Sequence, residues 1–298
     1  MDAIVDVAVA GGFMATLGGV LAWVLAVANK HLYVYEDPRI EQVEELLPKS
    51  NCGACGMAGC RNFAEELVAG NIIPAKCTVN SPDMVSHIAG FLGVAAGEVE
   101  KRVARLACAG GRHVAWMRAS YEGLGSCRAA ATVAGGGKAC AWGCLGLADC
   151  EVSCAFDAIQ MNQFGLPVVD AEKCTACGDC VEACPKQLFS LQAVSHKLWV
   201  ACKSRADGEV AEAQCEVACT ACGKCVMDAA PGLIRLDNHL AVIDYAKNNL
   251  ASDVASKVAI ERCPTGAIVW LDDSQTMKGR QAKKIIRVEA LPVSASVV

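Results

Sequence analysis

The amino-acid sequence predicts an α+β chain: one N-terminal helix able to cross a bilayer, a small helical module, and two tandem modules built around cysteine loops. Three observations carry this. Residues 7–28 hold no charged side chain, twenty cysteines fall largely in short-spaced runs, and two of those runs align with each other. The expected divisions are 1–30 (anchor), 31–100 (helical module), 101–200 and 201–275 (tandem modules), and a tail over 276–298.

Composition narrows the class. With 54% hydrophobic residues and a mean hydropathy of +0.33 over 298 residues, the chain is more apolar than an ordinary soluble core requires. A net charge of −5 with scattered Lys and Arg gives no basic stripe, which excludes nucleic acid as a partner. The cysteines occur as C-x-x-C runs, some followed by Pro, which is metal-cluster spacing rather than a disulfide framework. Thiolate ligands need a reducing compartment, so the cysteine-bearing bulk is expected in the cytoplasm.

Val7 to Ala28 is a run of 22 residues, roughly 33 Å as a helix and close to the hydrocarbon thickness of a bilayer. Small residues recur every four positions at Gly11, Ala15 and Gly19, and at Gly18, Ala22 and Ala26, which suits close packing by another membrane helix. Ala26-Val27-Ala28 imitates a signal-peptidase site, but Asp2 and Asp6 precede the run with no Lys or Arg, against a cleaved signal. Lys30 and Arg39 follow it, so the expectation is a single-pass protein of the cytoplasmic membrane with its cluster-bearing domains on the cytoplasmic side.

The first cysteine group is Cys52, Cys55, Cys60 and Cys77, a C-x2-C-x4-C-x16-C pattern with glycines that let the backbone curl around a [4Fe–4S] cluster. Tetrahedral zinc is the alternative, although zinc sites usually pair two C-x-x-C knuckles. The strongest signal is Cys174, Cys177, Cys180 and Cys184-Pro185, a full C-x2-C-x2-C-x3-C-P run of the two-cluster ferredoxin kind, whose fourth cysteine ligates the neighbouring cluster. Its partner run is Cys140-x3-Cys144-x5-Cys150-x3-Cys154, with Leu147 where a cysteine would normally stand. Crossed ligation gives one set of Cys140, Cys144, Cys150 and Cys184, and another of Cys154, Cys174, Cys177 and Cys180. Phe156 to Ile159 and Leu166 to Val169 read as the short strands of a ferredoxin-like hairpin.

Cys140, Cys144 and Cys150 align with Cys215, Cys219 and Cys225, so the unit is repeated. The second copy is degraded. Its C-P is replaced by Ala229-Ala230-Pro231, and no cysteine occurs from Tyr245 until Cys263-Pro264. Cys219, Cys222 and Cys225 therefore take Cys263 as fourth ligand, with a three-iron cluster or a non-cysteine ligand as the alternative. Four [4Fe–4S] clusters are expected. Cys108, Cys127, Cys202 and Cys215 are left over, either ligands of a fifth cluster or buried thiols that pack as small hydrophobes. Because Cys140 aligns with leftover Cys215, it is the least secure ligand of the core.

Gly135-Gly136-Gly137-Lys138 lacks a phosphate-loop frame and reads as a turn. His87, His113, His196 and His239 lie outside ligand spacing, and Lys283, Lys284 and Arg287 read as a solvated face. No residue is assigned a catalytic role.

The N-terminal helix, Glu36-Asp37-Pro38-Arg39, the Asn51-to-Cys60 motif with Cys77, and the ferredoxin cysteines together resemble RnfB, the iron–sulfur subunit of Rnf ion-translocating ferredoxin:NAD oxidoreductases, in its long form with two ferredoxin modules. Tyr121 to Cys127, Cys144 to Cys150 and Asn238 to Tyr245 carry the resemblance further. It implies a non-catalytic electron-transfer subunit of a translocase, taking electrons from soluble ferredoxin and passing them toward flavin-bearing, NAD-binding and membrane subunits. The departure is a missing C-x2-C-x2-C run between Asp244 and Cys263, which removes one cluster of the family pattern. The alternatives are the wiring subunit of a different membrane oxidoreductase and an iron–sulfur redox sensor.

Overall fold

The computed structural model describes residues 2–32, 36–245, 255–272 and 275–294. Part of the segment that lacks the last cysteine run, and the final four residues of the tail, lie outside them.

Helix α1 (Asp2–Leu32) carries the apolar run. From Ala8 to Leu32 its mean hydropathy is 1.8 and none of the other described residues buries it. A helix apolar on every side and unpacked needs lipid or another helix around it. The next module is helical. α2 (Pro38–Glu45) starts with Pro at its first position and the Asp37 carboxylate accepting the Arg39 N–H at 2.9 Å. α3 (Cys60–Val68) begins on a cysteine, and α4 (Pro82–Leu92) is capped by Ser81 and ends at left-handed Gly93. Their apolar faces share one core of Val43, Leu47, Phe63, Ala64, Leu67 and Ile88.

The ferredoxin-like plan follows. β1 (Arg102–Leu106) leads through a long segment containing α5 (Cys127–Thr132) to α6 (Asp149–Val152), the hairpin β2 (Ile159–Met161) and β3 (Pro167–Val169), α7 (Asp179–Ala183), and β4 (Phe189–Ala193). β4 closes antiparallel on β1, with Val103 opposite Gln192, and Ile159 pairs with Val169 in the hairpin. The expected hairpin is present, its first strand beginning at Ile159 because Asp157 takes a left-handed φ of 50°.

The plan then repeats. β5 (Leu198–Val200) is followed by α8 (Gly208–Gln214), α9 (Lys224–Asp228), the hairpin β6 (Ile234–Asp237) and β7 (Leu240–Ile243), α10 (Val258–Glu261), β8 (Ile268–Asp272) and β9 (Gln275–Lys278). β8 pairs with β5 as β4 pairs with β1. Strand β5, N-terminal to residue 201, thus belongs by its pairing to the second unit. α10 stands where α7 stands, and each leads into a Cys-Pro, at Cys184 and Cys263.

The two units are joined directly. Trp199 Nε1 donates to the Leu106 carbonyl at 2.9 Å, the Ala109 N–H to Ala201 at 2.9 Å, and a small core of Val114, Ala115, Ala211, Val217 and Ala218 fills the seam. The tail is strapped across that seam. Lys283 and Arg287, expected on a solvated face, pair with the mostly buried carboxylate of Glu216 at 3.7 and 3.2 Å, their own side chains staying partly exposed.

Gly135, Gly136 and Gly137 take φ of 74°, 82° and 75°, so the Gly-rich stretch is a turn as expected. A Cβ on Gly137 would stand 2.2 Å from the Ala119 carbonyl oxygen. Gly137→Ala should therefore cost at least about 1–3 kcal/mol from backbone strain alone. Gly125→Ala, with open space and no left-handed φ, should stay within about 0.5 kcal/mol of the parent; comparing the two in anaerobic thermal melts checks the pair.

Candidate iron–sulfur sites

Three ligand loops have the same backbone. In Cys174-Thr-Ala176-Cys177-Gly178 the second and fourth residues after the first cysteine are left-handed, at φ 61° and 101°; Ala221 and Gly223 repeat this after Cys219, at 51° and 74°. Gly146 and Ala148 do so after Cys144, at 74° and 67°. Each loop runs straight into a short helix, α7, α9 and α6, whose first turn holds Cys180, Cys225 and Cys150. Leu147 therefore occupies the position that Cys177 and Cys222 fill, and that loop is one thiol short.

The cysteines collect in groups. Cys52, Cys55, Cys60 and Cys77 line one cavity of about 310 Å³. Asn51 shapes its rim, its Oδ1 accepting the Cys60 N–H at 2.8 Å. Cys154, Cys174, Cys177 and Cys180 line a second of about 320 Å³, and Cys219, Cys222, Cys225 and Cys263 a third of about 360 Å³. These three groupings coincide with sets read from the spacing.

The remaining set differs from the expectation. Burial and then the neighbouring Cys127 and Cys184 push the Cys150 thiol up to about 12. Burial does the same to Cys144, with Cys108 and, more weakly, Cys127 adding to the rise and Lys138 opposing it. Cys127, rather than Cys140, is thus the further thiol beside Cys150 and Cys184. Cys140 instead lines a separate cavity with Cys108, Cys202 and Cys215. The reason is Asp149, which begins α6 immediately before Cys150. Its carboxylate accepts from the Ser126 hydroxyl at 2.9 Å and from the N–H groups of Cys127 and Arg128 at 3.0 Å, pinning the start of α5 against the ligand loop. Burial opposes the charge on Asp149, but those donors hold its carboxyl below the usual range. The spacing carried no sign of this, since the link spans 22 residues.

The sulfurs are dressed for negative charge. Backbone N–H groups of Ala104, Ala158 and Leu188 point at Cys174, Cys154 and Cys184, each at 3.4 Å. Burial pushes the thiols of Cys180 and Cys225 up to about 12, so without iron they are protonated, and metal binding must displace those protons. A single zinc ion needs its thiolates on one point at about 2.3 Å; among the described residues no three Cys, His, Asp or Glu groups are so arranged. Thiols spread around a cavity, with N–H groups behind them, fit a polynuclear cluster.

Known families agree. A family described as "Putative Fe-S cluster" matches residues 47–79, and a "4Fe-4S binding domain" matches residues 166–189. The B component of the Na(+)-translocating ferredoxin:NAD(+) oxidoreductase complex of Acetobacterium woodii is 38% identical over 86% of this chain and 76% of its own length. The chain belongs to the RnfB family. Two further RnfB relatives, from the proton-translocating ferredoxin:NAD(+) oxidoreductase complex of Clostridium ljungdahlii and the ion-translocating oxidoreductase complex of Methanosarcina acetivorans, are each 36% identical over 86% of the chain, covering 89% and 95% of their own lengths. These RnfB proteins carry different ions in their names at similar identity to this chain.

Asp149→Ala should leave three donors without their acceptor, lowering stability by about 1–3 kcal/mol. It should also make iron bound near α5 more labile than iron near α3; chelator-challenge kinetics on the parent and variant measure this.

Proposed function

We propose that this chain is the membrane-anchored electron-transfer subunit of an Rnf-type ion-translocating ferredoxin:NAD oxidoreductase. The observation that carries the reading is the gathering of thiols into N–H-lined cavities on a repeated ferredoxin-like frame, behind one exposed apolar helix. Four ligand sets follow: Cys52, Cys55, Cys60 and Cys77; Cys154, Cys174, Cys177 and Cys180; Cys127, Cys144, Cys150 and Cys184; and Cys219, Cys222, Cys225 and Cys263. A [4Fe–4S] group bound in such a set supplies reversible one-electron transfer.

The protein's part is to fix the sulfurs, exclude water and set how readily the site accepts charge through N–H donors and burial. Four-thiol sites leave no open coordination position, so bond-making on a substrate belongs to other subunits. Soluble ferredoxin is the donor in this reading, and flavin-bearing, NAD-binding and membrane subunits lie downstream. In this reading α1 anchors the chain in the membrane with the cysteine modules on the cytoplasmic side, where thiolates persist.

Anaerobically purified chain, reduced with dithionite, should show low-temperature EPR signals of several reduced [4Fe–4S] clusters and should reduce no NAD. Zinc in place of iron, or NAD reduction by the chain alone, would overturn the reading. Deleting residues 2–32 should move the protein from the membrane pellet to the soluble fraction with its iron retained.

A further inference from the structure

Cys108, Cys140, Cys202 and Cys215 lie far apart in sequence and form no motif, yet the fold brings all four to the wall of one cavity of about 340 Å³. That volume falls between the 310 and 360 Å³ of the smallest and largest cavities lined by the motif-bearing sets. We propose that it holds a fifth [4Fe–4S] cluster, seated in the seam between the two ferredoxin-like units. The inference rests on the electron-carrier reading and adds a site to it.

The chemistry of the wall selects an anionic occupant with sulfur ligands. The Cys144 N–H points at Cys108 Sγ, and the N–H groups of Ser204 and Cys219 both point at Cys202 Sγ, each at 3.4 Å. The Trp142 N–H and the Ser204 hydroxyl serve Cys140, and the Val217 N–H serves Cys215. Each of the four sulfurs thus has a donor of the kind found around the motif-bearing sets.

Lys138 adds a charge that no carboxylate among the described residues pairs with. It lines the cavity and is only 6% exposed, and its ammonium donates to the carbonyls of Gly110 and Cys144. Carbonyls satisfy hydrogen bonds without neutralising charge, and a buried, uncompensated cation is costly. A cluster held by four thiolates is net negative and compensates it. Gly110 completes the wall: a Cβ there would stand 3.1 Å from Cys215 Sγ and 3.7 Å from Cys108 Sγ, so the backbone approaches the site as closely as a residue without a side chain allows. Four free thiols would instead pack against one another, as small hydrophobes do, rather than ring a hollow with a lysine in its wall.

Position gives the site its use. Two of its donors come from ligands of its neighbours: Cys144 belongs to the set with Cys127, Cys150 and Cys184, and Cys219 to the set in the second unit. The fifth site is therefore separated from each by a single peptide group. At the other end, Thr78, beside Cys77, donates its hydroxyl to the carbonyl of Thr175, beside Cys174, at 2.7 Å. Cys150 in α6 with Cys154 two residues past its end, and Cys180 in α7 with Cys184 at its C-terminal cap, link the two middle sets. The five sites form one unbroken line from the module nearest α1 to the second ferredoxin-like unit, and the seam site closes the gap between the two units.

The test is iron and acid-labile sulfide per chain in anaerobically purified full-length protein and in the double variant Cys202→Ala/Cys215→Ala, with EPR of both. About twenty irons in the parent, and a loss of about four with one signal missing and the rest retained in the variant, is the expected result. About sixteen in both overturns the fifth site while leaving the electron-carrier reading intact, and a zinc-loaded, iron-free parent overturns both. If the double variant fails to fold, the parent count decides alone, about twenty supporting the site and about sixteen overturning it.

Discussion

A sulfur ligand buried away from water has to find stabilisation for its charge, and in this chain peptide N–H groups supply much of it. Donors at 3.4 Å serve Cys108, Cys154, Cys174, Cys184 and Cys202, drawn from strands, loop ends and the residues flanking other ligands. A peptide can aim its N–H inward only if the chain curls, which explains the left-handed residues at matching places in the three ligand loops. The short strands, one-turn helices and small cores follow from the same need. Little of the chain is left for regular structure once its loops are wrapped around sulfur.

The joints between units are made of the same material. The helical module meets the first ferredoxin-like unit at Thr78 and Thr175, next to ligands on both sides, and the two ferredoxin-like units meet where Cys108, Cys202 and Cys219 come together. Domains within one chain commonly move relative to one another unless the interface between them is large and hydrophobic. Here the contacts sit beside the sites, so the relative placement of the units and the spacing of their sites are fixed by one set of interactions.

Much of this was legible in the sequence. Spacing alone located the sets at Cys52 to Cys77, at Cys174 to Cys180 with Cys154, and at Cys219 to Cys225 with Cys263, since in each at least three ligands come from one local loop whose geometry the intervening residues dictate. The apolar helix and the repeat were legible for the same reason, as local patterns. Cys127 was not, because its place is set by Asp149 reaching across to the start of α5, a tertiary contact with no periodic trace. Cys140 misled because its spacing to Cys144 imitates a ligand run, while the glycine turn before it directs its thiol to the seam. Lys283 and Arg287 looked like a free basic face, since their partner Glu216 lies about seventy positions away in the chain and nothing local announces it.

The loop carrying Leu147 keeps the backbone of its two relatives although it has lost their middle cysteine. Conformation there is held by Gly146 and Ala148, independently of what the side chain between them binds. A thiol can accordingly be withdrawn from such a loop and supplied from a distant segment without the fold being rebuilt. In evolutionary terms the scaffold is the inherited unit and the ligands are interchangeable parts. Sites in chains of this kind are therefore undercounted by any inventory of consecutive cysteines, and an engineer could move a ligand between segments by keeping the two left-handed positions and providing a carboxylate clamp like Asp149 to anchor its replacement.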